Sequence, residues 1–190
     1  WATAGAKPAR CRWFGQMALP RELFLRDGRL CQRPVRALAA RRGQRVLHQN
    51  IPVCGEVNLP GVQGRVLDLT VTIRPTGCEG YRWFRIHVAR DDTHDIIIRY
   101  KPNESTLKID RTRSGLPHDI VHTRSFLVRP QNGALKLRII LDRFSVEGFV
   151  NDGEQAASSV IYTRQEADAI TFEADGQALI DVEKYDLMVE

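Results

Sequence analysis

Residues 135–154 read LKLRIILDRFSVEGFVNDGE, and this stretch decides the fold. Leu135, Leu137, Ile139 and Leu141 alternate with Lys136 and Arg138. A period of two sets the four aliphatics on one face of a half-buried β-strand. After Asp142-Arg143 the alternation resumes, with Phe144, Val146, Gly148 and Val150 set against Ser145, Glu147 and Phe149. Asn151-Asp152-Gly153 supplies residues that tolerate positive φ, as a tight turn requires. The stretch is therefore an antiparallel ribbon with one apolar face, which must meet a second sheet to leave water.

Working outward, the same grammar recurs. Leu67, Leu69, Val71 and Ile73 alternate with Asp68, Thr70, Thr72 and Arg74, predicting a strand with one buried face. Further strands are predicted over Val53–Leu59, Arg82–Ala89, Asp95–Tyr100, Thr106–Arg111, Ser125–Arg129, Ala156–Tyr162, Ala169–Glu173 and Ala178–Leu187. Turn signals separate them: Pro60-Gly61, Pro75-Thr76-Gly77, Asp91-Asp92-Thr93, Lys101-Pro102-Asn103, Pro130-Gln131-Asn132-Gly133 and Asp175-Gly176. Short strands punctuated at this spacing indicate two antiparallel sheets packed as a sandwich. Upstream, Asp27-Gly28 reads as a turn, Arg29–Gln32 as a short strand, and Pro34–Arg42 as a brief helix ending at Gly43.

At 43% hydrophobic and 27% charged, the 190 residues have an ordinary globular composition for one domain with an arm. No run approaches the roughly 18 apolar residues of a membrane-spanning helix. The chain opens at Trp1, not Met, which leads us to expect a piece of a longer polypeptide. Residues 1–45 hold eleven Lys and Arg against Glu22 and Asp27, so the rest carries −4 of the total +5. A basic arm on an acidic body suits either nucleic acid or an acidic protein partner. No aromatic interleaving or groove-reading motif accompanies the arginines, so nucleic acid is not expected. Cys11, Cys31, Cys54 and Cys78 are widely separated and form no CxxC or Cys/His set, so reduced thiols are expected.

Three blocks carry a resemblance. Residues 138–154, Asp110-Arg111-Thr112-Arg113-Ser114-Gly115, and Met17–Leu23 followed by Gln32-Arg33-Pro34-Val35 are similar, in order, to signatures of glycoside hydrolase family 32. The family comprises invertases, sucrose-6-phosphate hydrolases, levanases and inulinases. The resemblance implies a C-terminal β-sandwich of concanavalin-like jelly-roll form over residues 46–190. Before it would come a linker at 26–45 and, at 1–25, the last strand of a five-bladed catalytic propeller, left as an unpaired edge. It marks Asp110, Arg111, Arg113, Ser114, Gly115, Asp142, Arg143, Ser145, Glu147, Asn151 and Gly153 as structural signature residues. Gly148 stands where the family carries an aliphatic.

The family's retaining glycosidases need two carboxyl groups about 5 Å apart. The blocks that carry them are missing here. Arg90-Asp91-Asp92 lacks the proline of the family's Arg-Asp-Pro triplet, and Cys78-Glu79 reverses its Glu-Cys pair. The resemblance thus implies a non-catalytic accessory module, needing no cofactor, of a cytoplasmic β-fructofuranosidase. Its partners would be the N-terminal propeller and a second subunit, with a small sugar as the parent's substrate. Asp142 and Glu147 remain the acids to examine were this piece to act alone. His118-Asp119-Ile120-Val121-His122 mimics a zinc-helix spacing, but Gly115 and Pro117 before it and a strand after it argue for a loop, so no metal is expected. An alternative comes from Tyr81, Trp83 and Arg85, which share one strand face opposite Phe84, Ile86 and Val88. If that face looks outward, its rings and guanidinium form a carbohydrate-binding or interface surface.

Overall fold

A computed structural model describes residues 16–115 and 122–188. Their strands are β1 (Arg21–Arg26), β2 (Arg29–Pro34), β3 (Arg42–Val57), β4 (Leu67–Pro75), β5 (Tyr81–Arg90) and β6 (Asp95–Lys101). There follow β7 (Thr106–Arg113), β8 (Thr123–Leu127), β9 (Leu135–Asp142), β10 (Ser145–Val150), β11 (Gln155–Val160) and β12 (Ala169–Leu187). The helix expected within 34–42 is a 3₁₀ segment, Arg36–Arg41. It stops at Arg42, whose extended backbone begins β3, and not at a left-handed Gly43.

All pairings among these strands are antiparallel, and they converge on β12. Its first half, Ala169–Gly176, pairs with β5, and its second, Ala178–Asp186, with β4. β3 runs beside both halves. One sheet is thus β3-β12-β5-β6-β7-β8, and the other β3-β12-β4-β9-β10-β11. The Asp175-Gly176 pair, expected to reverse the chain, instead lets one strand bend from one sheet into the other. Gly176 has φ +117, and a Cβ there would run into the backbone of Gly80 and Tyr81. A bulge that re-aims a strand at a sandwich corner has this form. The expected Ala169–Glu173 and Ala178–Leu187 are therefore one element, and β3 is far longer than Val53–Leu59.

Between the sheets lies one apolar cluster. Leu67, Leu69, Val71, Ile73, Leu135, Leu137, Ile139 and Leu141 of one sheet meet Phe84, Ile86, Val88, Ile96, Tyr100, Leu107 and Ile109 of the other. The alternation in β4 and β9 is the cause: every second side chain is apolar and every one of those is buried. The turn after β10 has the predicted backbone, with Asn151 at φ +47, Asp152 at +58 and Gly153 at +101. Cys31 is a buried free thiol, and Cys54 and Cys78 are exposed ones. Cys11 and all of the 118–122 spacing except His122 lie outside the described residues.

Candidate functional surface

β10 departs from the expected ribbon. Its second face, carrying Glu147 and Phe149, is as buried as its first. The cover comes from the other end of the chain. β1 and β2 form a hairpin through the Asp27-Gly28 turn, so the expected unpaired edge at Met17–Leu25 is instead a paired strand. Ahead of that hairpin, Leu19 N–H donates to Glu147 Oε1 at 2.5 Å, and Arg21 Nη2 donates to Glu147 Oε2 at 2.6 Å. The Ser158 hydroxyl donates to the same carboxylate at 3.2 Å. Arg21 also lies over the Phe149 ring, 5.1 Å from its centroid. Glu147, only 2% exposed, is thus the anchor of the N-terminal segment.

The Asn-Asp-Gly turn is the second anchor. Gln32 N–H donates to the Gly153 carbonyl at 2.9 Å, and Arg26 Nη2 donates to the Asn151 carbonyl at 2.6 Å. A Cβ on Gly153 would overlap the Gln32 carbonyl, so the hairpin can approach only a glycine. Gly153→Ala is expected to weaken the docked hairpin by about 1–3 kcal/mol, combining left-handed strain with that overlap. Amide exchange across β2 should accelerate, while β4 and β9 exchange as before.

Within the hairpin, Glu22 bridges Arg33 and Arg36. The Arg36 backbone N–H donated to its carboxylate, followed by opposing desolvation and then the side-chain contacts, brings its pKa down to about 2. A lowered carboxylate pKa means support that is complete above the ordinary value near 4.5 and is lost as pH falls towards 2. Chemical shifts of Arg33 and Arg36 are expected to report the hairpin loosening in that acid window. Invariance there would contradict it.

The face that the hairpin turns to solvent is apolar. Leu25 opposite Leu30, with Leu23 alongside, is exposed, Leu25 to 76%. Met17 is more exposed still. Met17, with Arg21, Arg124, Phe126, Glu147 and Ser158, lines a cleft of about 1150 Å³. A second cleft of about 520 Å³, between Met17, Leu19, Asp142, Ser145 and Met188, adjoins it.

The aromatic face of β5 differs from expectation. Tyr81 is 6% exposed and sits edge-on to Phe84 in the core, so it does not look outward. The register slip between Asp175 and Gly176 skips Arg82, and that places Tyr81 on the inner side. Burial pushes its phenol pKa above the ordinary value. Trp83 and Arg85 do share the outer face, but Arg85 lies over the indole at 3.9 Å and donates to Glu173 at 3.1 Å. One face of the ring is therefore already stacked.

The protein-family model described as glycosyl hydrolases family 32 C terminal matches residues 36–187. The chain belongs to this family. It is 34% identical over 181 residues to raffinose invertase of Escherichia coli, covering 88% of this chain and 34% of that protein. Sucrose-6-phosphate hydrolase of Staphylococcus xylosus is 30% identical, covering 92% and 35%. The chain thus spans about a third of the length of the curated relatives it matches. Among solved structures, an exo-inulinase from Aspergillus awamori superposes with TM-score 0.75 at 20% identity, over 90% of this chain and 35% of that one. A sucrose-6-phosphate hydrolase from Lactobacillus gasseri does so with TM-score 0.72 at 22% identity, over 88% and 33%. These two likenesses concern the fold alone.

The residues of the family 32 signature blocks make the following contacts. Arg111 is buried and its Nη1 donates to the Val160 carbonyl at 2.9 Å, tying β7 of one sheet to β11 of the other. Ser114, fully buried, accepts the Tyr162 N–H through its carbonyl, and Gly115, at φ +78, lies against the Tyr162 carbonyl. Asp110 takes the Thr112 N–H and hydroxyl and pairs with Lys108, while Arg113 reaches the Thr93 carbonyl. Asn151 Nδ2 donates to the Arg129 carbonyl at 2.8 Å. The exposed Asp142 caps the turn by accepting the Arg143 N–H, Arg143 offers its carbonyl to buried Arg65, and Ser145 lines the smaller cleft. Gly148 has no atom within 4 Å of where a Cβ would stand, so the missing aliphatic leaves open space.

Proposed function

We propose that this module is the non-catalytic C-terminal sandwich of an enzyme that hydrolyses terminal β-fructofuranosides, with sucrose or sucrose 6-phosphate as substrate. Its role in that reading is to stabilise a catalytic propeller on the same polypeptide. The carrying observation is the hairpin: one side is pinned to β10 through Glu147, while the other offers Leu23, Leu25 and Leu30 to a partner. An exposed apolar stripe of this kind marks an interface. The basic arm supports the reading, because its arginines are used internally: Arg21 on Glu147, Arg33 and Arg36 on Glu22, Arg42 on Asp68, Arg45 on Glu183. They leave little charge to recommend nucleic acid. In this reading the chain alone has no turnover, because the pair of catalytic carboxylates belongs to the propeller. A cytoplasmic location and contacts with a second subunit belong to the same proposal; no helix among the described residues is long and apolar enough to cross a membrane.

Sucrose and sucrose 6-phosphate hydrolysis would be measured for the chain alone, for a separately produced propeller, and for the mixture. Stability or activity is expected to rise only in the mixture, and Leu25→Lys with Leu30→Lys to abolish the gain. Turnover by the chain alone would overturn the proposal. A second reading, a glycan-binding surface at Trp83 and Arg85, is favoured by their shared outer face. Retention on fructan that disappears with Trp83→Ala would select it.

A further inference from the structure

We propose that Glu56, His87 and Glu173 form a binding site for a divalent transition-metal ion of the zinc type on the outer face of the first sheet. The inference does not depend on the fructosidase reading. The three residues come from adjacent strands. Glu173 of β12 stands directly opposite Glu56 of β3, and His87 of β5 stands opposite Thr171, two residues from Glu173 on the same face. One ligand atom from each lies within 4.8 Å of the others. Two carboxylates directly opposite one another across a sheet repel. Arg90 donates to Glu56 at 2.9 Å and Arg85 to Glu173 at 3.1 Å, so each carboxylate retains an oxygen for another cation.

The independent sign of a ligand is His87. It is 6% exposed, and its Nδ1 lies 3.0 Å from Asp95 Oδ2. An ionised carboxylate only accepts, so Nδ1 carries the hydrogen. With Nδ1 engaged by Asp95, the ring nitrogen left to bind an ion is Nε2. That atom is buried, makes no hydrogen bond, and points at Glu173 Oε2, 3.5 Å away. Glu173 Oε2 already accepts from Arg85, so the other oxygen of that carboxylate is the one left to bind an ion beside Nε2. The carboxylate–histidine pair, Asp95 behind and Nε2 in front, is the outer-shell arrangement that orients a metal-bound imidazole.

One imidazole nitrogen and two carboxylate oxygens form a borderline donor set that suits zinc better than calcium or magnesium. Bonds of about 2.0–2.1 Å in a tetrahedron set ligand atoms about 3.3 Å apart, so a modest closure is needed. Glu56, exposed and on an edge strand, is free to supply it. A neighbouring cleft of about 630 Å³, lined by Glu56, Arg90, Asp91 and Thr171, gives the ion and a fourth, water ligand their way in.

Zinc chloride titrated into the purified chain at neutral pH, followed by calorimetry, is the test. One ion per chain is expected, with affinity reduced by about tenfold or more in Glu56→Gln and in Glu173→Gln. Glu56 is exposed, so its variant folds as the parent does and keeps the test decisive. On zinc addition the His87 Nε2 resonance is expected to move, and Cys54→Ser to leave binding unchanged. Absence of binding, binding indifferent to both glutamate variants, or loss of binding in Cys54→Ser would each overturn the proposal. So would an imidazolium at His87 that persists in excess zinc, because a proton would then hold the site.

Discussion

Asp68→Asn is expected to lower the stability of the sandwich by about 3–5 kcal/mol, the range for breaking a buried ion pair by removing one partner. Asp68 lies on β4 and its carboxylate is fully buried. Arg138 of β9 binds both its oxygens, Nε to Oδ1 at 2.9 Å and Nη2 to Oδ2 at 2.7 Å. Arg42 at the start of β3 adds Nε at 2.9 Å and Nη2 at 2.7 Å to Oδ2, and stacks over Tyr185 at 4.3 Å. Neutralising the aspartate leaves two guanidinium groups facing one another with their shared counter-charge gone. For a domain of this size the loss corresponds to roughly 6–20 °C in Tm. Thermal unfolding of the variant decides it: a loss below about 1 kcal/mol would mean that both arginines reach water in the variant, and the argument from burial would fail.

Glu147→Gln is expected to act locally but strongly. An amide retains an acceptor for Leu19 N–H, yet Arg21 loses its ionic partner in a water-poor seam over Phe149. Opening of residues 16–34 from β10 should become easier by about 3 kcal/mol, since the pair is nearly buried. That is about a hundredfold faster amide exchange at Leu19 and through β1 when exchange follows the opening equilibrium. The core strands β4 and β9 should keep most of their protection. Uniform loss across the molecule would show instead that the hairpin and the sandwich unfold as one unit.

The two residues differ in how well the sequence announces them. Period-two alternation identifies β4 and β9, and within β4 it assigns Asp68 to the polar face, where a solvated side chain is the natural expectation. Burial of that face depends on Arg42 and Tyr185, which no local pattern connects to it. Glu147 is similar: an acid between Val146 and Phe149, in a strand with almost no other polar side chain, was the available signal that the second face is covered. The covering residues Leu19 and Arg21 lie more than 120 positions away. Tyr81 went astray because a single bulge at Arg82 inverts the alternation on one side of it, and Gly176 looks the same in sequence whether it turns a strand or bends it. The Glu56, His87 and Glu173 cluster has no spacing to read, being assembled from three strands by register alone. Turns fared better, because Asn151-Asp152-Gly153 and Asp27-Gly28 carry their backbone requirement in their own chemistry.

β12 joins both sheets, and it is the last strand of the described chain to leave the ribosome. Until residues 169–187 emerge, β4 can pair only with β9, and β5 only with β6. Each half then carries an open edge and an uncovered apolar face, which is the condition that invites association between nascent chains. The two sheets are therefore joined only once β12 has emerged, and until then the waiting halves expose the edges that β12 later covers.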